Sequence, residues 1–453
     1  MLEGVRKYMR VYYIFLALFT TFFLVSCSRQ EEHVKMAIFL KSDWDKYEVF
    51  AKEFEKAKGI KIQLDYIWDD TIKHDYKHLW SKIHSAIEKK LKDQEIDLIA
   101  GVPTSYFEKL IKKNLLAELD TFMVGQSGID VKNLYSPVLD IAKKAGNGHY
   151  YFLSPTFSTK LLVVNLDIFK TLKVPIPEET VSWEELEYIA EKINRKNLNP
   201  HNRKIYAISF GPGGEEGLFM DFQLLTTPLE LPLQEKEEIY NHPSWGKWFK
   251  WFITMHQKYG VRNMAEDRAF FTGKVAMRIT YPHELQWLYK KARADLGLGF
   301  NPAKFEFRIY PAPYYSNKPE VASIEVHNIA LSNQSEKKNL AWEVIRYAMG
   351  KDYALSIIYN GGNTFGGNFP AYYDSDTIRA YENLYPGIDV KNVFYYGKQG
   401  PYIKESMTLE QLSIFHELER EYFPIILNKN ISVEDGYKEL KREYKQRIKE
   451  LKR

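Results

Sequence analysis

VKMAIFL, residues 34–40, is a short apolar run with one charged residue, bounded by polar residues on both sides, and it reads as a buried strand. Outward from it, Val49, Phe50, Phe54 and Ala57 recur at helical spacing and Gly59 marks a helix end. IKIQLDYI, residues 60–67, alternates as a half-buried strand does. A second helix is expected from about Tyr76 to Lys92, and IDLIAG, residues 96–101, forms a third apolar strand closed by Gly101 and Pro103. This β-α-β-α-β rhythm predicts an α/β fold with a parallel sheet and right-handed crossovers.

The pattern continues along the chain. A helix is expected near residues 105–113, and HYYFLSP (149–155) with LLVVNLDIF (161–169) reads as a strand pair running into a helix start. Ser182 and Glu185 have the spacing of a capping box, which places a helix start at Trp183. IYAISF (205–210) is a strand entering the glycine-rich loop GPGGEEG, and a further helix spans Trp245 to Tyr259. No repeat of fixed period and no low-complexity tract interrupts this order.

With 453 residues the chain accommodates two or three domains. Its 63 basic and 59 acidic side chains nearly cancel, so net charge gives no reason to expect a nucleic acid or a strongly acidic partner. The single cysteine excludes an intramolecular disulfide and a cysteine metal cluster. Aromatic residues reach 15%, which suits a large core and also a surface that stacks on flat ligands.

The one cysteine, Cys27, has a telling context. Arg6, Lys7 and Arg10 precede residues 11–28, which carry no charge. That is the order of a secretory signal, although eighteen residues in a helix rise roughly 27 Å and would also suit a membrane anchor. Leu24, Val25, Ser26 and Cys27 resemble the lipobox of bacterial lipoproteins. By that resemblance residues 1–26 are a signal peptide, Cys27 carries the lipid, and residues 27–33 form a tether.

Five further segments, in order, resemble family 1 extracellular solute-binding proteins of ABC importers. GNGHYYFLSPTFSTKLLVVNLDIF (146–169) is similar to the family's glycine, aromatic and proline segment, with Val164 in place of the usual tyrosine before Asn165. PEETVSWEELEYIAEKI (177–193) resembles its helix start, and AFFTGKVAMRITYPHELQWL (269–288) its "GKAAM" strand and the binding segment after it. VASIEVHNIALSNQSEKKNLAWEVIRYAM (321–349) resembles the return strand and helix, and ISVEDGYKELKREY (431–444) the last helix, with Gly436 where alanine is common. The resemblance covers essentially the whole mature chain. It implies a two-lobed periplasmic-binding-protein-like fold with a hinge and an interlobe ligand cleft. By motif order, residues 34–156 plus 328–366 make lobe 1 and residues 157–327 plus 367–453 make lobe 2.

Signatures of catalysis are absent or incomplete. His74 and His78 lie four apart but no glutamate follows His74, and neither His283 nor His416 completes H-E-x-x-H. GPGGEEG and GGNTFGGN (361–368) fit neither nucleotide loop, and GGNTFGGN reads better as a flexible crossing between lobes. No G-x-S-x-G elbow occurs. Carboxylates such as Asp43, Glu215 and Glu325 could serve a surface glycoside hydrolase or lyase, because such an enzyme needs only two. The resemblance implies binding without turnover, no cofactor and no metal, an ABC permease as partner, and an extracytoplasmic, lipid-anchored location. A ligand-sensing accessory of a membrane kinase would use the same site.

Ligands of α/β lobes meet the loops at the carboxyl ends of strands. The candidates there are Asp43 and Trp44 after the first strand, Thr104 and Tyr106 after the third, and Glu215 after IYAISF. Tyr281, His283 and Trp287 follow VAMRIT, Glu325 lies in the returning strand, and Tyr372 follows the last crossing. Rings for stacking and polar groups for hydroxyls favour a mono- or oligosaccharide. Trp183 is set aside as a packing residue.

Overall fold

The computed structural model describes residues 33–72, 79–196, 205–210, 222, 225–229, 231–235, 238–260, 270, 273–281, 306–317, 321–322, 324–360, 369–384, 390–394, 398–399 and 407–451. In chain order the strands of the two main sheets are β1 (His33–Leu40), β2 (Lys61–Trp68), β3 (Leu98–Ala100), β4 (Phe152–Thr159), β5 (Leu161–Asn165), β6 (Tyr206–Phe210), β7 (Val275–Thr280), β8 (Phe307–Pro311), β9 (Ile324–Leu331) and β10 (Phe369–Pro370). β1 is the centre of the parallel part, with β2 and β3 beside it, and β9 then pairs antiparallel with β3 and β4. The first sheet therefore runs β10-β4-β9-β3-β1-β2, and the second runs β8-β5-β7-β6.

The helices that cover the first sheet follow from its connections. α1 (Trp44–Lys58) returns the chain from β1 to β2 and ends at Gly59, whose φ of +70° is the left-handed conformation a helix stop needs. α2 (Leu79–Lys92), α3 (Thr104–Lys112) and α4 (Ser136–Ala145) bury Ile83, Ile87, Phe107, Leu110 and Ala142 against one face of the sheet. The second lobe begins with α5 (Leu166–Thr171) and α6 (Trp183–Lys196), where the predicted box is present: Glu185 N–H donates to Ser182 Oγ, and Ser182 N–H donates to the Glu185 carboxylate. α7 (Pro243–Tyr259) carries Trp245, Phe249 and Phe252 into that lobe's core. α8 (Lys338–Ala348), α9 (Lys351–Asn360) and α10 (Ser375–Leu384) belong to the first lobe; α11 (Leu409–Leu427) and α12 (Val433–Leu451) close the second.

Much of the aromatic surplus is core. Phe222, Tyr240, Trp245, Phe249, Phe252 and Phe423 contact one another in the second lobe, and each ring fully removed from water contributes about 1.5–3 kcal/mol. Trp183 stacks edge-on against Trp251 at 5.4 Å, as expected of a packing residue.

Two crossings join the lobes within the described residues. β4 is buried along its whole length and passes to β5 through a single residue, Lys160; the chain returns from β8 to β9. Paired residues extend the first sheet to Thr159 and to Ile324, beyond the expected limits of 156 and 328. A larger difference lies downstream of residue 367. Phe369, Ala371, Tyr381, Val390 and Val393 pack into the first core, Phe369 against Phe157 and Tyr381, so this segment sits with lobe 1 rather than lobe 2. GGNTFGGN lies outside the described residues, and the chain on both sides of it is in the first core. Asn392 Nδ2 then donates to the Ile309 carbonyl at 2.8 Å, fastening this segment to β8 of the second sheet.

Candidate ligand cleft

The carboxyl end of β1 turns through Lys41–Asp43 and is fastened to the loop after β2. Lys41 Nζ donates to Asp69 at 2.6 Å, and Ser42 N–H donates to Asp70 at 2.9 Å. Lys41 and Thr71 hold the Asp69 carboxyl below the usual carboxylate range. Asp43 accepts from Lys46 at 2.7 Å, and Trp44 is half-buried, edge-on to Tyr66 at 6.4 Å. The end of β3 requires a glycine: Gly101 has φ +74°, and a Cβ there would lie 2.7 Å from Tyr47 Oη.

The crossing strands supply a polar face. Glu325 is registered with Ser158 and His327 with Thr156, so these four side chains share one side of the β4–β9 pair. Thr156 and Ser158 are buried, His327 is half-buried and Glu325 is exposed. Ser158 Oγ lies 3.3 Å from His327 Nε2. Burial pushes the His327 imidazole below its ordinary value, Glu325 and Asp43 act in the opposite sense, and Lys46 reinforces burial. The turn after β1 thus faces the crossing strands, and Asp43, Lys46, Glu325 and His327 form one neighbourhood. The ladder shifts register between His327 and Ile329, an irregularity that re-aims side chains beside a site.

From the second lobe come the strand ends of β5, β6 and β7. Lys160 is 2% exposed and its ammonium lies 4.7 Å from the centroid of the Tyr281 ring. Arg278 Nη1 donates to Ser209 Oγ at 3.2 Å. Below Phe210, the last residue of β6, lies His256, with ring centroids 4.3 Å apart. Burial and the Lys160 charge push the His256 imidazole down to about 3, so it is neutral at physiological pH. Elsewhere the lobes also touch, where Ser81 on α2 donates to Glu410 at the start of α11.

Two α/β lobes joined by crossing strands that carry a polar face are a scaffold for holding a small molecule. The family model of the bacterial extracellular solute-binding protein matches residues 43–355. The chain belongs to that family. Solved structures share the fold at low identity. A sugar transporter from Rhizobium etli in an open conformation is 16% identical, with TM-score 0.67, covering 91% of this chain and 99% of that one. The sugar-binding protein MalE from Xanthomonas citri is 15% identical, with TM-score 0.65, covering 93% and 98%. A solute-binding protein from Agrobacterium vitis with bound D-mannitol is 15% identical, with TM-score 0.59, covering 93% and 99%.

Within this solute-binding protein the candidates from sequence are distributed unevenly. Asp43 and Glu325 come together around His327, and Tyr281 lies against Lys160. Thr104 Oγ1 accepts from Asn328 Nδ2 at 3.0 Å, so its hydroxyl braces the crossing strand. Tyr106 is 1% exposed, between Phe39 and His84, and serves the core of the first lobe. Tyr372 is buried, with its hydroxyl directed to Asn133 and Asp374. Glu215, His283, Trp287 and Cys27 lie outside the described residues, as do His74 and His78.

His327, Ser158 and Lys160 were not anticipated. For His327 and Ser158 the signal is the alternation of polar residues in strands that are otherwise apolar: Thr156 and Ser158 in FLSPTFST, Glu325 and His327 in IEVHNIAL.

Proposed function

We propose that this solute-binding protein captures a mono- or oligosaccharide in the cleft between its lobes and delivers it to the permease of an ABC importer, while lipid on Cys27 holds it at the outer face of the cell membrane. The observation that carries the reading is the polar face of the crossing strands. The Glu325 carboxylate and the His327 imidazole on one side of β4–β9, with Asp43 from the turn after β1 in their neighbourhood, are groups that exchange hydrogen bonds with a polyol, and Tyr281 offers an aromatic face nearby. Relatives of the same fold are described with D-mannitol, alpha-D-tagatose, ribitol and maltose, which supports the same ligand class here. Asp43 and Glu325 act as acceptors in this reading, Trp44 and Tyr281 as apolar contacts, and Glu215, His283 and Trp287 complete the set. Asp43 is already ion-paired with Lys46 at 2.7 Å, which orients its carboxylate as an acceptor.

A thermal-shift panel of sugars, polyols, peptides and metal salts on the purified protein tests this. Ligand that binds only the folded state raises stability as RT ln(1 + [L]/Kd), so a sugar or polyol is expected to raise Tm in a concentration-dependent manner. A response confined to peptides or metals would defeat the carbohydrate reading. Sugar consumed during the incubation would favour the hydrolase or lyase instead.

A further inference from the structure

We infer that His327 is a ligand-contacting, specificity-determining residue of the cleft, reading two adjacent hydroxyls of a neutral sugar or polyol jointly with Glu325. This inference rests on the proposed carbohydrate function and goes beyond it by naming the group that discriminates.

Four observations converge. On the polar face of the crossing strands, Thr156 and Ser158 are buried, so His327 and Glu325 are the two members that reach solvent. They are two residues apart on one strand, so their side chains leave the same face about 7 Å apart, close enough to converge on adjacent hydroxyls of one ligand. The imidazole is braced from behind by Ser158 at 3.3 Å, which fixes the ring before ligand arrives. The register shift between His327 and Ile329 falls at this point of the strand, and the Asn328 side chain that follows is fully buried and hydrogen-bonded to Thr104. The strand is thus locked on one side and presents His327 on the other.

The chemistry follows from the charges around the ring. Among the described residues, Glu325 on the same strand and Asp43 and Lys46 from the start of α1 are the charged groups that act on it, and Ser158 on β4 is its hydrogen-bonding neighbour. Burial favours the neutral imidazole, which carries one donor and one acceptor. With Ser158 engaging one nitrogen, the other is available to a hydroxyl, while Glu325 accepts from the adjacent hydroxyl. Protonation replaces that arrangement with an imidazolium beside Glu325 and Asp43, which competes with the hydroxyls for the carboxylates. Affinity should therefore be flat at neutral to alkaline pH and decline in acid.

Calorimetric titration of the purified protein with maltose, D-mannitol, ribitol and D-tagatose supplies the test. For a probe that binds, His327→Ala is expected to weaken binding about 10- to 100-fold, the range for removing one partner of a desolvated hydrogen bond, and the deoxy analogue of that probe should lose most of its discrimination in the variant. His327→Gln should retain part of the affinity and abolish the acid decline, and in the wild type the imidazole NMR signals missing from His327→Gln should move on addition of the probe. Wild-type affinity and pH profile in both variants, or imidazole signals that do not move, overturn the inference while leaving sugar binding intact. If no probe binds the wild type, the carbohydrate reading fails and takes this inference with it. Should His327→Ala not fold, the NMR titration and the glutamine variant decide alone.

Discussion

Asn328 Nδ2 lies 3.0 Å from Thr104 Oγ1, a bond between residues 224 positions apart that fastens the returning strand β9 to the start of α3. The same amide reaches the Val102 carbonyl and accepts from Ser154, and the Asn328 carbonyl accepts from Gly101 N–H at 2.9 Å. A fully buried side chain thereby joins β3, β4 and β9 where the lobes begin to separate.

Truncating this hub should be felt in stability. Asn328→Ala leaves the buried Ser154 hydroxyl without its acceptor and removes the brace on Thr104, at an expected cost of about 1–3 kcal/mol in urea unfolding. Thr104→Val keeps the shape and removes one acceptor only, so its loss should be the smaller. Equal stability of wild type and Asn328→Ala would contradict the bracing role.

Acid stability should depend on His256. Its folded-state value is about 3 and its ordinary value is 6.5, so between these limits the unfolded chain binds the extra proton and stability falls as pH falls. Across that window the slope from this group approaches 1.4 kcal/mol per pH unit, and above about pH 6.5 it vanishes. Nε2 has no hydrogen-bond partner among the described residues, and the ring packs against Phe210 and Phe252. His256→Phe should therefore leave Tm near the wild-type value at pH 8 and flatten the decline between pH 6 and 4. An unchanged acid limb in Tm against pH would refute the assignment.

Local signals were the legible part. β1 and β3 announce themselves through apolar runs and β2 through alternation, Gly59 ends α1, and Ser182 with Glu185 starts α6, because each depends on neighbours within a few residues. Partners distant in sequence were not legible. Thr104 accepts from Asn328, a partner 224 residues away that no local pattern announces, and Tyr106 turns inward because its helix buries Tyr106, Phe107 and Leu110 together. Residues 369–384 and 390–393 pack with the first lobe and not with the second for a related reason: β10 is two residues long, and its membership is decided by Phe369 meeting Phe157. His327 is the instructive omission, since a polar residue two places from Glu325 in an apolar strand signals a shared exposed face.

Membrane attachment is expected to depend on one sulfur. In the proposed lipid anchor on Cys27, each buried methylene contributes about 0.8 kcal/mol. Cys27→Ala should shift the protein from the membrane fraction to the medium or leave an uncleaved precursor of higher mass. Normal processing with full membrane retention in the variant would rule out lipidation at that position.

Gly436 offers a test of packing between the last two helices. A Cβ built there would lie 2.4 Å from Ile426 Cγ1 and 2.5 Å from Cδ1, and Ile426 is fully buried, so the ring of neighbours leaves it little room to turn. Alanine raises helix propensity by about 1 kcal/mol over glycine. Overpacking a filled core costs typically about 1–3 kcal/mol, which outweighs that gain. Gly436→Ala is therefore expected to lower stability in urea unfolding, although alanine is the commoner residue at this point of the family motif. Ile426→Ala alone should destabilise by about 2–5 kcal/mol through the cavity it opens. Combined with Gly436→Ala it should cost less than the two single losses added, because the new methyl occupies part of that cavity. Strict additivity in the double-mutant cycle would mean that α11 and α12 do not approach one another through this pair.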